Sequence, residues 1–176
     1  MNNHLDFLVE KADFGDHLQI SKHGDFDKFM HPHILNAQMY DVRPSLGDNF
    51  FIDVIDNEIE ANYVLLLEGG SYTYQNKKYF FEGLKKVIVH YSFARYVMQS
   101  GSIDTPTGLV IKKSEHSEPI DAKATARENE YHRSLASAAL NDIIDFLKRK
   151  RQDYPLFECE IVSVSKKTRI TPVHRY

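Results

Sequence analysis

Histidines and carboxylates cluster near residue 30, where they could hold a metal ion for hydrolysis. His31 and His33 are two positions apart, and nearby stand His17, His23, Asp25 and Asp27. Imidazole nitrogens and carboxylate oxygens are ligands that zinc accepts, and bound zinc activates water. No HExxH motif or cysteine pair accompanies them, and residues two apart do not share a helix face. We therefore expect no metal site here, and keep a small metal-dependent hydrolase or nuclease using His31 and His33 as the alternative function.

Two further stretches combine residue types found in phosphate-binding or catalytic sites. Gly69 and Gly70 precede Lys77 and Lys78, but the spacing differs from the phosphate-binding loop motif and aromatic residues occupy the interval. The stretch 114–118 (SEHSE) places serine, histidine and glutamate side by side, although neighbouring residues rarely present their tips to one another. We predict a hairpin turn for the first stretch and a polar connecting loop for the second.

The charged residues near position 145 each admit two interpretations. Asp142 and Asp145 share a helix face and could hold magnesium in a nuclease, although a solvated helix edge is the simpler interpretation. The run KRKR at 148–151 could contact DNA phosphates. Cations are also favoured at the C-terminus of a helix because they interact with its dipole. Nucleic-acid contact and dipole stabilisation both stay open for this run.

The elements that must position these residues are predicted to be mainly helical, because apolar residues recur every three or four positions. Asp25 is a suitable N-cap for the first helix, which begins or bends at Pro32 and ends at the DVRP stretch. Helices are predicted over residues 25–40, 45–57, 61–68, 82–100 and 120–150. The predicted buried stripe of the last helix consists of Tyr131, Leu135, Ala138, Ala139, Ile143, Phe146 and Leu147.

Other segments have extended patterns. SYTYQNKKYFF alternates aromatic and polar residues around Gln75-Asn76, which predicts a β-hairpin over 71–81 with Asn76 at positive φ. After the helix that ends near residue 100, a loop with a short extended LVI portion is predicted. The fold class is therefore mainly α: a small helical bundle with a β-hairpin insertion and extended N- and C-terminal segments. The expected divisions are an N-terminal arm or short strands (1–24), a helical domain (25–157) and a basic C-terminal arm (158–176).

Composition limits the class of protein. The chain of 176 residues fits one domain, and its single cysteine, Cys159, leaves no internal disulfide, which agrees with a reducing cytoplasm. No signal-peptide pattern and no apolar run of membrane-spanning length is present. Residues 148–176 carry a net charge of +5 and the first 147 residues one of -8. An acidic body with a basic end indicates contact between unlike protein surfaces, with a solvated tail as the open alternative.

Three stretches carry a resemblance to a known family. They are FDKFMHPHILNAQMYDVRPSLG, the aromatic hairpin followed by EGLKKVIVHYSFARYV, and DTPTGLVIKKSEHSE followed by the long helix with Tyr131 and its FLKRK end. Together they cover residues 25–157. In the order and spacing of these elements the chain resembles the head-tail connector (adaptor, or neck ring) proteins of tailed bacteriophages, as found in crAss-like and other phages of Bacteroidetes.

The resemblance implies a structural virion protein and not an enzyme. Its subunits would form a ring, usually of twelve copies, that joins the portal to the tail and forms part of the DNA channel. The implied partners are further copies of the chain, the portal protein, other neck or tail proteins, and genomic DNA that passes without sequence-specific contact, with no membrane involved. The protein would be made in the host cytoplasm and reside in the virion neck, with no catalytic, metal-binding or cofactor-binding residue. From the negative net charge of the first 147 residues, we further expect an acidic lumen that repels the DNA backbone and lets the genome slide through.

Aromatic residues suggest where the contacts lie. Ten tyrosines and eleven phenylalanines exceed what one buried stripe per helix needs, and surplus aromatics often serve interfaces. An ordinary aromatic core is the open alternative. By resemblance, the hairpin is a subunit contact and the basic tail a docking arm, so the predicted interface residues are Tyr72, Tyr74, Tyr79, Lys166, Lys167, Arg169, Arg175 and Tyr176. A cytoplasmic module that binds a peptide or small ligand is a third possible function.

Overall fold

The structure, a computed structural model, describes residues 7–18, 25–105, 108–111 and 121–157, and it confirms the predicted fold class of a helical bundle with a β-hairpin. The helices are α1 (Lys11–His17), α2 (Phe26–Ala37), α3 (Arg43–Leu46), α4 (Asp48–Asp56), α5 (Ala61–Glu68), α6 (Leu84–Ser100) and α7 (Ala122–Arg149), with a π-helical turn at Gln38–Val42. Two antiparallel hairpins are formed by β1 (Gly70–Tyr74) with β2 (Lys77–Phe81), and by β3 (Ser102–Thr105) with β4 (Gly108–Ile111). Within these described ranges, no helix has the length and apolar character needed to cross a bilayer.

Helices α6 and α7 pack along each other and form the centre of the bundle. The buried stripe of α7 agrees with the predicted one in part: Tyr131 is 57% exposed and Ala138 is exposed, whereas His132 and Ala136 are buried. The prediction is confirmed for Ala139, Ile143, Phe146 and Leu147. It was wrong for Tyr131 and Ala138, because it treated His132 as a surface residue. The buried imidazole is hydrogen-bonded to another histidine on α6, which removes the penalty for burying a polar group.

The first long helix extends further than its sequence pattern indicates. Asp25 caps α2 as predicted, accepting a hydrogen bond from the Lys28 amide at 3.3 Å, so the helix begins before Pro32. The DVRP stretch does not end it, because the π-helical turn passes directly into α3. Pro44 lies in the first turn of α3, where the fixed φ of proline suits a helix. The break comes at Gly47, whose φ of 83° separates α3 from α4.

The N-terminal segment was predicted as an arm or short strands, and this is wrong for residues 11–17, which form α1. Glu10 and Asp13 make a capping box at its start. The fully buried Phe14 packs edge-on against Phe26, with ring centroids 5.1 Å apart. This contact with α2 stabilises a helix that is too short to be stable alone.

The first hairpin forms as predicted, with Tyr72 opposite Tyr79 and a two-residue turn in which Gln75 and Asn76 have φ of 49° and 61°. At its base, Gly69 and Gly83 have positive φ and lie so close that a Cβ on Gly83 would come within 2.5 Å of the Gly69 nitrogen. The LVI portion lies in β4 as predicted, but β3 occupies residues predicted as loop. The SEHSE stretch and the predicted C-terminal arm lie outside the described residues.

The residues after α7 close the core. Tyr154 and Phe157 are buried, and the Tyr154 ring lies edge-on to Tyr63 and Phe50. The Tyr154 hydroxyl donates a hydrogen bond to the carbonyl oxygen of Asn62 at 2.7 Å. This segment therefore fixes the end of α7 against the start of α5.

Candidate functional site

The three predicted interface tyrosines that the structure describes share one face of the first hairpin. Tyr72 and Tyr79 are cross-strand partners, and their rings stack with centroids 5.5 Å apart. Tyr74 is on the same face because side chains two apart in a strand point the same way. Tyr72 is buried, whereas Tyr74 and Tyr79 are partly exposed. The other predicted interface residues lie outside the described residues: Lys166, Lys167, Arg169, Arg175 and Tyr176.

Arg149, at the end of α7, lies against this aromatic face. Its Nη1 donates a hydrogen bond to the Tyr72 hydroxyl at 2.7 Å. Its guanidinium carbon is 4.2 Å from the ring centre of Tyr79 and 6.0 Å from that of Tyr74, distances at which a cation is attracted to an aromatic face. The hydrogen bond to Tyr72 raises the pKa of Arg149, so the group stays cationic. This member of the KRKR run therefore fastens the hairpin to the bundle, a contact that sequence reasoning missed.

A groove of about 630 Å³ separates the hairpin from the chain that follows α7. We call it the basic groove, and the residues that define it are Tyr74, Gln75, Arg149, Lys150, Arg151 and Asp153. Lys150 is 3.6 Å from Asp153, which neutralises part of its charge. The remaining guanidinium groups keep the groove positive. The hairpin turn beside it adds Lys77 and Lys78, both exposed.

A second concavity of about 610 Å³ has the opposite charge. We call it the acidic cleft, and the residues that define it are Phe7, Glu10, Asp13, Glu58, Ile59, Val64, Glu68 and Lys85. Lys85 bridges Asp13 at 3.1 Å and Glu68 at 2.5 Å. Burial lowers the pKa of Lys85, but the hydrogen bonds to these two carboxylates outweigh it and raise the pKa overall. One lysine among four carboxylates leaves the cleft negative.

Both concavities combine charged side chains with apolar or aromatic ones, and the aromatic residue of the basic groove is Tyr74. In the acidic cleft, Ile59 is 87% exposed, and Val64 and Phe7 are also accessible. Protein interfaces likewise combine accessible apolar side chains with polar and charged ones. These two concavities are suited to binding surfaces of complementary charge.

A third group of charged residues joins three helical elements and is structural. Asp41, in the π-helical turn, accepts hydrogen bonds from Arg95 at 2.7 Å and from Arg133 at 3.3 Å. Its side chain is only 6% exposed. The Arg133 guanidinium also lies over the ring of Tyr91, 5.4 Å from its centre. Sequence reasoning missed this cluster, although Asp41 is four residues after the buried Ala37 and hence near the buried helix face.

Two buried histidines meet between α6 and α7. The Nδ1 atoms of His90 and His132 are 2.9 Å apart, so one donates a hydrogen bond and the other accepts it. Burial, followed by the neighbouring His132, Lys86 and His17, lowers the pKa of His90 to about 4. Burial also lowers the pKa of His132, against the opposing effect of Glu128. Both rings are therefore neutral at neutral pH.

The histidines singled out for the alternative function do not converge on one site. His31 is at the surface, 3.2 Å from Asp27 and stacked on Phe7, whereas His33 is buried against the Tyr96 ring. Burial, with a contribution from Arg95, lowers the pKa of His33. Among the residues the structure describes, no group of three or more histidine, cysteine, aspartate or glutamate side chains is arranged to hold a metal ion.

The other patterns raised from the sequence also have positions in the fold. The glycines at 69 and 70 begin the hairpin, as predicted, and do not form a phosphate-binding loop. Asp142 and Asp145 are exposed on α7, and Asp145 is 3.9 Å from Lys148. This placement fits a solvated helix edge.

Comparison with known protein families gives a match. A family model described as "Family of unknown function (DUF6712)" matches residues 42–166, from the end of the π-helical turn to beyond the last described residue. No curated protein and no solved structure matches the chain.

Proposed function

The chain belongs to the family of unknown function (DUF6712) whose model matches more than half of it, and we propose that it is a structural virion protein. In this proposal it is a subunit of the neck ring that connects the portal to the tail of a bacteriophage and forms part of the DNA channel. Its partners are further copies of itself, the portal protein and other neck or tail proteins, and genomic DNA passes without sequence-specific contact. The sequence resemblance across residues 25–157 supports this assignment.

The observation that carries the proposal is the outward face of the first hairpin. A two-stranded hairpin alone is marginally stable in water. Here its inner face is fastened to α7 by Tyr72, Phe81 and Arg149, and the Phe81 ring stacks on Phe146 at 4.3 Å. The outer face presents Phe80, which is 72% exposed. Because the backbone is already ordered, a partner that covers Phe80 gains apolar burial with little further loss of entropy.

Exposed apolar side chains on other elements agree with more than one neighbour. Tyr40 in the π-helical turn, Ile52 on α4 and Tyr131 on α7 are each more than half exposed. A ring subunit in a stacked neck touches a neighbour on each side and further proteins above and below. Such a subunit needs apolar contact surfaces on several elements.

The proposal is tested by incubating the purified protein with its cognate portal, followed by native mass spectrometry and negative-stain electron microscopy. We expect a ring-shaped complex with many copies of the chain per portal. Phe80→Ser should weaken that complex at least about tenfold, because about 1.4 kcal/mol of contact energy corresponds to a factor of ten. The matched Phe80→Tyr variant keeps the aromatic side chain and should still form the complex. A wild-type protein that stays monomeric and unbound beside the portal would refute the proposal.

A further inference from the structure

The first hairpin ends in a convex tip that carries positive charge. Gln75 and Asn76 form its turn, followed by Lys77 and Lys78, and all four side chains are exposed. No acidic residue occurs between Gly69 and Phe81. The basic groove beside the tip, with Arg149 and the exposed Arg151, extends the positive surface. The tip is thus an exposed, basic end of the hairpin, in contrast to the net negative charge of residues 1–147.

The acidic cleft is a concave surface of the opposite charge. Glu58 and Glu68 stand beside its accessible apolar residues Ile59 and Val64. Lys85 occupies the cleft, but its charge is already shared between Asp13 and Glu68. Carboxylates repel nucleic-acid phosphates, so this surface selects a basic protein segment over DNA.

From this complementarity we infer that the hairpin tip of one subunit inserts into the acidic cleft of a second copy of the same chain. The inference rests on the proposed ring and specifies which surfaces meet in it. The tip and the cleft share no residue, so each copy can use both at once. A contact between two different patches repeats from copy to copy and closes into a ring when the rotation allows. Lysines of the tip meet glutamates of the cleft, which also gives the contact a salt dependence.

The test is a charge exchange between the two surfaces. One variant, Glu58→Lys with Glu68→Lys, makes the cleft basic, and the other, Lys77→Glu with Lys78→Glu, makes the tip acidic. Each variant alone presents like charges at the contact, so its self-association, measured by sedimentation velocity with and without the cognate portal, should weaken at least about tenfold. An equimolar mixture restores opposite charges at every contact, in alternating copies. The mixture should therefore assemble nearly as well as the wild type.

Two controls keep the result interpretable. Lys123→Glu with Arg127→Glu makes the same charge change on exposed residues of α7 and should leave assembly unchanged. Glu68 pairs with Lys85, so the single variant Glu58→Lys, which leaves that pair intact, is used if the double variant has an altered circular dichroism spectrum or melting temperature. It should give a smaller loss of the same kind.

Each outcome separates the inference from the proposed function. If the wild type forms portal-bound rings and both charge variants do so equally well, the tip-to-cleft contact is refuted and the ring proposal stands. If the two charge variants associate only when mixed, and the wild type does not bind the portal, the tip-to-cleft contact is supported and the neck-ring proposal fails. Loss of duplex DNA binding by Lys77→Glu with Lys78→Glu, without loss of assembly, would show that the tip contacts phosphate and refute the inference. The inference is also refuted if the equimolar mixture of the two charge variants does not associate.

Discussion

The histidine pair between α6 and α7 should make the stability of the protein depend on pH. His90 and His132 are both buried, and their Nδ1 atoms share one hydrogen bond, which requires at least one neutral ring. Protonation of His90 places a charge in a buried position near Lys86 and His17, which explains its pKa of about 4 in the folded protein. In the unfolded chain a histidine has a pKa of about 6.5. The folded state therefore resists a proton that the unfolded state accepts.

The sign and size follow from this difference. Between the two pKa values the unfolded chain binds more protons, so the free energy of unfolding falls as the pH falls through that window. The contribution of His90 is complete above a pH of about 6.5 and is lost by a pH of about 4. A shift of one pKa unit corresponds to about 1.4 kcal/mol, so the full loss is about 3 kcal/mol. Between about pH 7 and pH 5 the expected loss is about 2 kcal/mol.

The assay is urea unfolding followed by far-ultraviolet circular dichroism at about pH 7 and pH 5. Other groups also titrate, so the wild type is compared with His90→Leu combined with His132→Leu, which removes both hydrogen-bonding partners together and leaves no unpaired polar group. The double variant should lose at least about 2 kcal/mol less than the wild type over this interval, because His132, whose pKa burial also lowers, adds to the loss in the wild type. His31→Gln leaves the buried pair in place, so this variant should keep the larger pH-dependent loss of the wild type even if its contacts with Asp27 and Phe7 change the overall stability. Equal losses in the wild type and the double variant would refute the assignment of the pH dependence to this pair.

Three further substitutions test contacts on which the surfaces depend. Gly83→Ala should destabilise the fold by about 2 kcal/mol or more in thermal or urea unfolding. The reason is that φ is positive and the added Cβ would lie 2.4 Å from the Leu67 carbonyl oxygen. Unchanged stability would contradict this close approach. Tyr154→Phe should cost about 1 kcal/mol in urea unfolding through loss of the hydrogen bond to Asn62, and no change would mean that residues after α7 are not held as described. Asp41→Asn should lower the free energy of urea unfolding by about 2 kcal/mol because two charged hydrogen bonds weaken, and the loss should shrink at high salt.

The hairpin tip and the acidic cleft are the two surfaces through which the proposed neck ring would assemble. The hairpin is ordered before any partner arrives, because Arg149 and the aromatic residues of its inner face hold it against α7. Assembly then needs only the meeting of surfaces that already exist. Isolated subunits should associate weakly and assemble efficiently where portal-bound neighbours raise their local concentration.

Local chemistry in the sequence was sufficient for several elements. The alternation around Gln75-Asn76 determined the hairpin, since a two-residue turn with positive φ fits few other patterns. The span 61–68 was predicted with its observed bounds because Gly69 ends the helix. Asp25 was recognisable as a cap since the cap bond is made within three residues. In each case the determining interactions lie within a few positions along the chain.

Only the tertiary structure decided what those elements do together. His132 is buried and Tyr131 exposed because of a partner 42 residues away, His90, and no spacing rule reveals that pairing. The sequence leaves Arg149 open to two interpretations, a helix-terminal cation and a DNA contact. Its position is set by Tyr72, 77 residues away in sequence, to which it donates a hydrogen bond. The acidic cleft likewise exists only in the folded protein, because its charged and apolar residues come from segments that are distant in sequence. Sequence periodicity reports which side of an element is apolar, whereas contacts between elements decide which polar groups can be buried and which surfaces stay open.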